Sequence, residues 1–314
     1  MQVGDLVPLP GGRSGLTLHA VIHGVDAVSS VVVKAAPPGR PAVGRHDVLR
    51  QARVMTSLQG VAGVVVPEVL ATGTDPVPFC VMSRLPGEAV EPVLDAGKVQ
   101  LRPELVRGRA VAAAGMLAAL HRVRAAAFID AAAGPGADLA TEVRRWRVTA
   151  DAADAADSRI LHGGTRLADL LERHLPGHSL TPVLIHGDYR LGNIVFDGAQ
   201  PTGIIDWEIW GVADPGVDLG WFLVFCDADL FPGIGAPVKG MPTARELLQC
   251  YAEHGGQVPE DTAWYEAFGR FKMAAIMAHN LRRHREGRHV DPFQESLPPT
   301  IERLVATGLE KLTA

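Results

Sequence analysis

Two short apolar runs near the middle of the chain, Val183-Leu184-Ile185 and Gly203-Ile204-Ile205, each end in polar residues. The first leads into His186-Gly187-Asp188, with Asn193 five residues past the aspartate, and the second delivers Asp206. Between them, the β-type stretches Ile194–Phe196 and Thr202–Ile205 flank Asp197-Gly198-Ala199-Gln200-Pro201. The Asp-Gly pair and the proline predict a hairpin. A hairpin reverses the chain, so Asp206 is expected beside Asn193, and Asp188, Asn193 and Asp206 gather at one end of a two-stranded ribbon. Two carboxylates and an amide oxygen are hard ligands, suited to Mg²⁺ rather than to zinc.

The remaining pattern divides in two. Before residue 84 it is mainly strand-like: Leu16–Ile22, a turn at Gly24, Val31–Lys34, then Pro67–Leu70 and Phe79–Met82. One helix is expected there, Asp47–Leu58, from the spacing of Val48, Ala52, Met55 and Leu58. Ser83-Arg84-Leu85-Pro86-Gly87 breaks the pattern as a linker would. Helices dominate beyond it: Glu104–Val123, with Leu105, Ala112, Met116 and Leu120 on one face, then Glu142–Arg147, Leu167–Leu175, Ala244–His254, Trp264–Arg283 and Pro298–Leu312. Residues 131–137 and the Pro- and Gly-rich Phe231–Pro242 read as loops. These signals describe an α+β chain in two parts, 1–84 and 85–314.

Composition narrows the function classes. Hydrophobic residues make up 47% of the 314, enough for a sizeable core, while aromatics are only 5%, so helices should pack through small side chains. A net charge of −5 argues against general nucleic-acid binding, which needs a basic footprint. Cys80, Cys226 and Cys250 are widely spaced and read as core residues of a reducing compartment, not as a disulfide or zinc framework. The opening residues lack a signal-peptide pattern and no run reaches ~18 apolar residues, so a cytoplasmic protein without a membrane partner is expected.

Upstream, Gly11-Gly12-Arg13-Ser14-Gly15 could bring backbone N–H groups close to phosphate oxygens. Alone it equally describes a hairpin turn, and it lacks the Gly-Lys-Ser/Thr ending of a Walker site. Lys34 closes a run of valines; alone it would be an edge-strand lysine reaching water. Asp188 and Asn193 could singly form Asx turns. Their occurrence together, in this order, is what points to phosphate chemistry.

The combination resembles the aminoglycoside phosphotransferase and choline kinase group of protein-kinase-like enzymes, nearest to the bacterial phosphotransferases related to a kinase-like domain of some acyl-CoA dehydrogenases. His186-Gly187-Asp188-Tyr189-Arg190-Leu191-Gly192-Asn193, Ile204-Ile205-Asp206-Trp207-Glu208 and Asp214-Pro215 with Asp218-Leu219-Gly220-Trp221 carry the resemblance. Weaker carriers are Gly11–Ser14, Lys34, Val81–Gly87 and Leu117–His121. The resemblance implies a bilobal fold with ATP between a small β-rich lobe and a larger helical one. It implies Asp188 as the base facing an acceptor hydroxyl, with Asn193 and Asp206 holding Mg²⁺. It also implies Lys34 on the α- and β-phosphates, the loop Gly11, Gly12, Arg13, Ser14 and Gly15 over them, and the backbone at Ser83 and Leu85 reading adenine above Met82. His186 is expected to prop the loop, and Asp214 and Asp218 to hold it together. Two positions depart from the family pattern. Gln51 stands where the family has the glutamate that pairs with the strand lysine, with Asp47 a candidate substitute, and Gly15 stands where asparagine is frequent.

The expected activity is ATP-dependent transfer of phosphate to a hydroxyl of a small molecule. A nucleotide-binding pseudokinase is the alternative that Gln51 supports, and a metal-dependent hydrolase would leave Lys34 and the glycine loop without a role. The basic run Asn280–His289 is either a solvated helix end or, if it faces the cleft, a preference for an anionic acceptor such as a hydroxyacyl thioester of CoA.

Overall fold

The computed structural model describes residues 2–3, 6–9, 16–23, 30–37, 39, 44–125, 128, 138–155 and 160–313. The glycine loop at residues 11–15, the turn at Gly24 and the loop at residues 131–137 lie outside the described residues.

Three valines and a lysine in extended backbone make the middle of a sheet. Gln2–Val3 (β1) pairs with Ile22–His23 (β4), apart from the main sheet. Val7–Pro8 (β2), Leu16–Ala20 (β3), Val31–Ala35 (β5), Val69–Gly73 (β6) and Phe79–Ser83 (β7) form five antiparallel strands ordered β2-β3-β5-β7-β6. Lys34 therefore sits on the central strand, opposite Thr17 and Cys80, and is not an edge lysine. Helix α1, Val48–Leu58, starts where the Asp47 carboxylate accepts the Arg50 N–H, and it buries Val48, Ala52, Met55 and Leu58.

Backbone bonds anchor the linker to the larger lobe and the small lobe to the hairpin. Glu88 and Phe196 exchange backbone bonds of 3.0 and 2.9 Å just after the linker, where a Cβ on Gly87 would collide with the Phe196 carbonyl. Farther in, the Ile204 N–H donates to the Val65 carbonyl at 2.8 Å.

The larger lobe is helical: α2 (Pro103–His121), α3 (Leu139–Asp154), α4 (Gly164–Arg173), α5 (Gly216–Cys226), α6 (Ala244–Glu253), α7 (Thr262–Arg285) and α8 (Pro298–Thr313). Its short strands are Val183–Ile185 (β8), Ile194–Asp197 (β9), Gln200–Ile204 (β10) and Gly211–Ala213 (β11). The buried face of α2 is Val106, Ala110, Ala113, Leu117 and Leu120, with the expected Leu105 and Ala112 at its margin, because α6 and β10 pack on the neighbouring face. Helix α3 is longer than its periodicity suggests: Asp138 caps it at the Ala140 and Thr141 N–H groups, and Ala150 and Ala153 bury its far end. Helix α5 is apolar almost all round, so no amphipathic period announces it. A Cβ on Gly220 of α5 would collide with the Tyr265 carbonyl of α7, so glycine is required for that close crossing.

One apolar cluster fills the space among α3, α4, α5, α7 and α8. Another runs from α1 and β7 through α2 to the β9–β10 hairpin and α6, so the two lobes share a core. Among the described residues no helix is long and apolar enough to cross a membrane.

Candidate active site

The hairpin delivers its residues as the pattern requires. Strands β9 and β10 pair from Asp197–Gln200 to Ile194–Ile204, turning at Gly198, which adopts φ 59°. The ladder continues one step further, with the Ile205 N–H donating to the Asn193 carbonyl at 2.9 Å, so Asp206 emerges next to Asn193. Asp206 itself takes φ 64°, a left-handed backbone that costs roughly 1–2 kcal/mol for a residue bearing a Cβ.

Asp188 is held by two donors. Its Oδ1 accepts the Trp221 Nε1–H at 2.8 Å and its Oδ2 accepts the Asn193 Nδ2–H at 2.7 Å. Arg190 Nε lies 3.5 Å from the same carboxylate. Asn193 also donates to the Asp188 carbonyl at 2.8 Å, which leaves its amide oxygen for another partner.

The loop that carries Asp188 is fixed at nearly every polar atom. Asp218, fully buried on α5, accepts the His186 and Gly187 N–H groups at 2.6 and 2.8 Å. Burial would raise the Asp218 pKa, but His121 (3.6 Å away) and His186, through its charge and its backbone N–H, bring it below the usual carboxylate value. His186 donates from Nε2 to the Ile205 carbonyl and accepts the Asp188 N–H at Nδ1. It is a prop for the loop. Tyr189 donates to the Ala113 carbonyl of α2, and Asp214 accepts the Leu180 and Gly216 N–H groups.

Across the cleft, Lys34 Nζ donates to Asp206 Oδ1 at 2.9 Å. Burial pushes the Asp206 pKa up, and Lys34, with His186 and Arg190, more than reverses this, holding it below the usual value. Asp206 Oδ2 and the Asn193 amide oxygen are not engaged by these bonds, and as hard oxygen donors they are of the type that fits Mg²⁺. Asp47 does not serve as a substitute partner for Lys34: its carboxylate is spent capping α1, with Arg53 3.6 Å away. Gln51 is buried on the same helix.

At the linker, the Ser83 N–H is taken by the Glu68 carbonyl at 2.9 Å and its Oγ accepts the Glu68 N–H. The Ser83 N–H is thus committed to the sheet, which leaves the Ser83 carbonyl and the Leu85 backbone as the linker groups to consider for a ligand. Met82 is buried, and Leu85 packs over Gly203. A cavity of about 270 Å³ is lined by Ser30, Arg84, Leu85, Pro86 and Gly87. A larger one, about 650 Å³, lies between α1 and β6 and touches none of Lys34, Asp188, Asn193 or Asp206.

Sequence reasoning leaves several functional neighbours unassigned. Glu91 is buried behind the loop, accepts the Gly192 N–H at 3.0 Å and lies 3.3 Å from Arg190. Burial lifts its pKa to about 7 against the opposing pull of Arg190 and Gly192. Lys272 donates to the Gly187 carbonyl. Arg50 lies 4.0 Å over the Trp210 ring and donates to its carbonyl, tying α1 to the loop after Asp206. The available signal is a charged residue in an apolar stretch, which must find a partner. Within the basic run, Arg285 pairs with Glu295 and Arg288 with Glu286, and Arg282 donates to the Ala152 carbonyl at the end of α3.

Solved structures and relatives agree with this architecture. A Ralstonia eutropha protein described as a candidate aminoglycoside phosphotransferase superposes with a TM-score of 0.80 over 98% of this chain and 92% of its own, at 22% identity. The GDP and kanamycin complex of an aminoglycoside 2″-phosphotransferase gives 0.66 over 99% and 95%, at 17% identity. Both show the kinase-like, two-lobed fold. Human acyl-CoA dehydrogenase family member 11 is 26% identical over 89% of this chain, which spans only 37% of that protein. Viomycin phosphotransferase of Streptomyces vinaceus is 31% identical over 69% of this chain and 73% of its own length. Residues 5–253 match the sequence profile of the phosphotransferase enzyme family, and the chain belongs to that family.

Proposed function

We propose that this phosphotransferase moves the γ-phosphate of ATP to a hydroxyl of a small molecule, with Asp188 as the base. The observation that carries the reading is the Asp188 carboxylate, aimed by Trp221 and Asn193 at the end of the hairpin that also presents Asp206 to Lys34. The acceptor oxygen forms a bond to the γ-phosphorus as the bond to the bridging oxygen breaks. ADP leaves with the electron pair, and the acceptor's proton passes to Asp188. An ordinary carboxylate suffices, because the proton is lost late in a loose transition state.

Asn193 and Asp206 would hold Mg²⁺, which when bound draws charge from the phosphate oxygens. Lys34 would exchange part of its contact with Asp206 for the α- and β-phosphates. The Gly11–Gly15 loop would cover the phosphates, and the backbone around Leu85 would read the purine edge beside the linker cavity. GDP in the structural neighbour supports a purine nucleotide here. The two parts, 1–84 and 85–314, would be the nucleotide and acceptor sides. Pairing of Arg285 with Glu295 and of Arg288 with Glu286 supports the reading of the basic run as a solvated helix end.

The test is phosphate transfer from labelled ATP, with Mg²⁺, across hydroxylated acceptors spanning polycations such as kanamycin and viomycin and anions such as hydroxyacyl-CoA. Labelling of an acceptor that disappears in Asp188→Asn supports the reading. ATP binding with neither labelling nor Asp188-dependent turnover would make the chain a pseudokinase.

A further inference from the structure

Every residue of α7 from Trp264 to Ala275 is buried, and a lysine inside such a helix needs compensation. Lys272, 3% exposed, finds it at the catalytic loop. Its Nζ donates to the Gly187 carbonyl at 2.6 Å and sits 3.9 Å from the centroid of the Trp221 ring, with Trp146 of α3 at 5.5 Å. The charges around it are Asp188 from the loop, Asp218 from α5, and Glu142 and Arg145 from α3. Burial brings its pKa down to about 8 although the three carboxylates act the other way.

Two consequences meet at Asp188. Gly187, the residue before it, is fixed on three sides: its N–H by Asp218, its carbonyl by Lys272, and its Cα by the Ile209 carbonyl, which a Cβ would strike. Gly187 also holds φ 81°, so the peptide entering Asp188 has one available course. Trp221, meanwhile, uses its ring face for Lys272 and its edge N–H for Asp188.

We propose that Lys272 is a positioning residue for phosphoryl transfer, fixing through the Gly187 carbonyl and the Trp221 ring the direction in which the Asp188 carboxylate points. It touches neither substrate nor nucleotide, and its role rests on the reading of Asp188 as the base. A carboxylate misaimed by even ~1 Å costs about 10²-fold in rate, so the effect belongs in kcat and not in nucleotide affinity.

The experiment uses the full chain and MgATP turnover with water as the acceptor, alongside spectra of protein labelled with ¹⁵N-tryptophan. Lys272→Met keeps the length and apolar bulk without the charge. The expected result is a fall in kcat of about tenfold or more with the KM for ATP unchanged, together with a displaced Trp221 indole N–H resonance, identified by its loss in Trp221→Phe. Lys272→Arg, which restores a donor and a cation, recovers part of both. Wild-type kcat, or an unmoved indole resonance, in Lys272→Met overturns the proposal. Lys272→Gln is read by the same two outcomes if the methionine variant does not fold. Asp188→Asn run in parallel separates the two readings: normal turnover there removes the base assignment itself, whereas its loss beside an unaffected Lys272→Met removes only the role of Lys272.

Discussion

Lys34 and Asp206, 172 residues apart in sequence, are joined at 2.9 Å, the central strand of the small lobe reaching the end of the hairpin in the large one. The Asp206 side chain is 40% exposed, so the pair adds little to stability, at most about 1 kcal/mol. Its value is positional. Lys34→Met is expected to lower MgATP turnover by roughly 10²-fold while unfolding within about 1 kcal/mol of wild type. A steady-state assay with a urea titration checks both, and undiminished turnover would remove Lys34 from the phosphate site.

Asp188→Asn keeps the shape but turns one carboxylate oxygen into a donor that must face the N–H of either Trp221 or Asn193. Loss of the base should reduce kcat by roughly 10²–10⁴-fold. Thermal stabilisation by MgATP should persist, because the phosphate-side residues are untouched. A variant that loses nucleotide binding as well as turnover would place Asp188 on the nucleotide and not on the acceptor.

Asp218→Ala strips two buried amides, those of His186 and Gly187, of their acceptor. A cost of roughly 3–5 kcal/mol is expected, read as a lower denaturation midpoint in urea. Asp218→Asn, which retains one acceptor oxygen, should fall between.

Glu91 gives a pH signature. Burial raises its native pKa to about 7 from the ordinary 4.5, so between those values the unfolded chain has released a proton that the native state keeps. Stability contributed by this group therefore falls as pH rises through that window, by up to about 3 kcal/mol. Glu91→Gln cannot titrate, so the stability difference between variant and wild type should shift in the variant's favour from about pH 5 to about pH 8 in urea titrations. A constant difference would mean that Glu91 is charged throughout.

How much of the fold and the site is legible in the sequence depends on the range of the interaction. The hairpin, α1, and the gathering of Asp188, Asn193 and Asp206 follow from local signals within a few dozen residues, whereas the cap role of Asp47 does not. Helix α5 and the role of Lys272 do not. Each depends on burial against another helix far away in sequence, and a helix covered on all sides has no period to read. The basic run is open to two readings for a related reason: Glu295, which pairs with Arg285, comes from the next segment and is placed there only by the fold.

The backbone bond from the Ile204 N–H to the Val65 carbonyl acts together with Lys34 on Asp206 and Arg50 on the Trp210 carbonyl. Ties at separate points resist turning in every direction, so the small lobe is braced and not merely threaded on the linker. A wider cleft would require at least one of those ties to be given up, and the half-exposed Lys34–Asp206 pair, worth at most about 1 kcal/mol, is one that costs little to release.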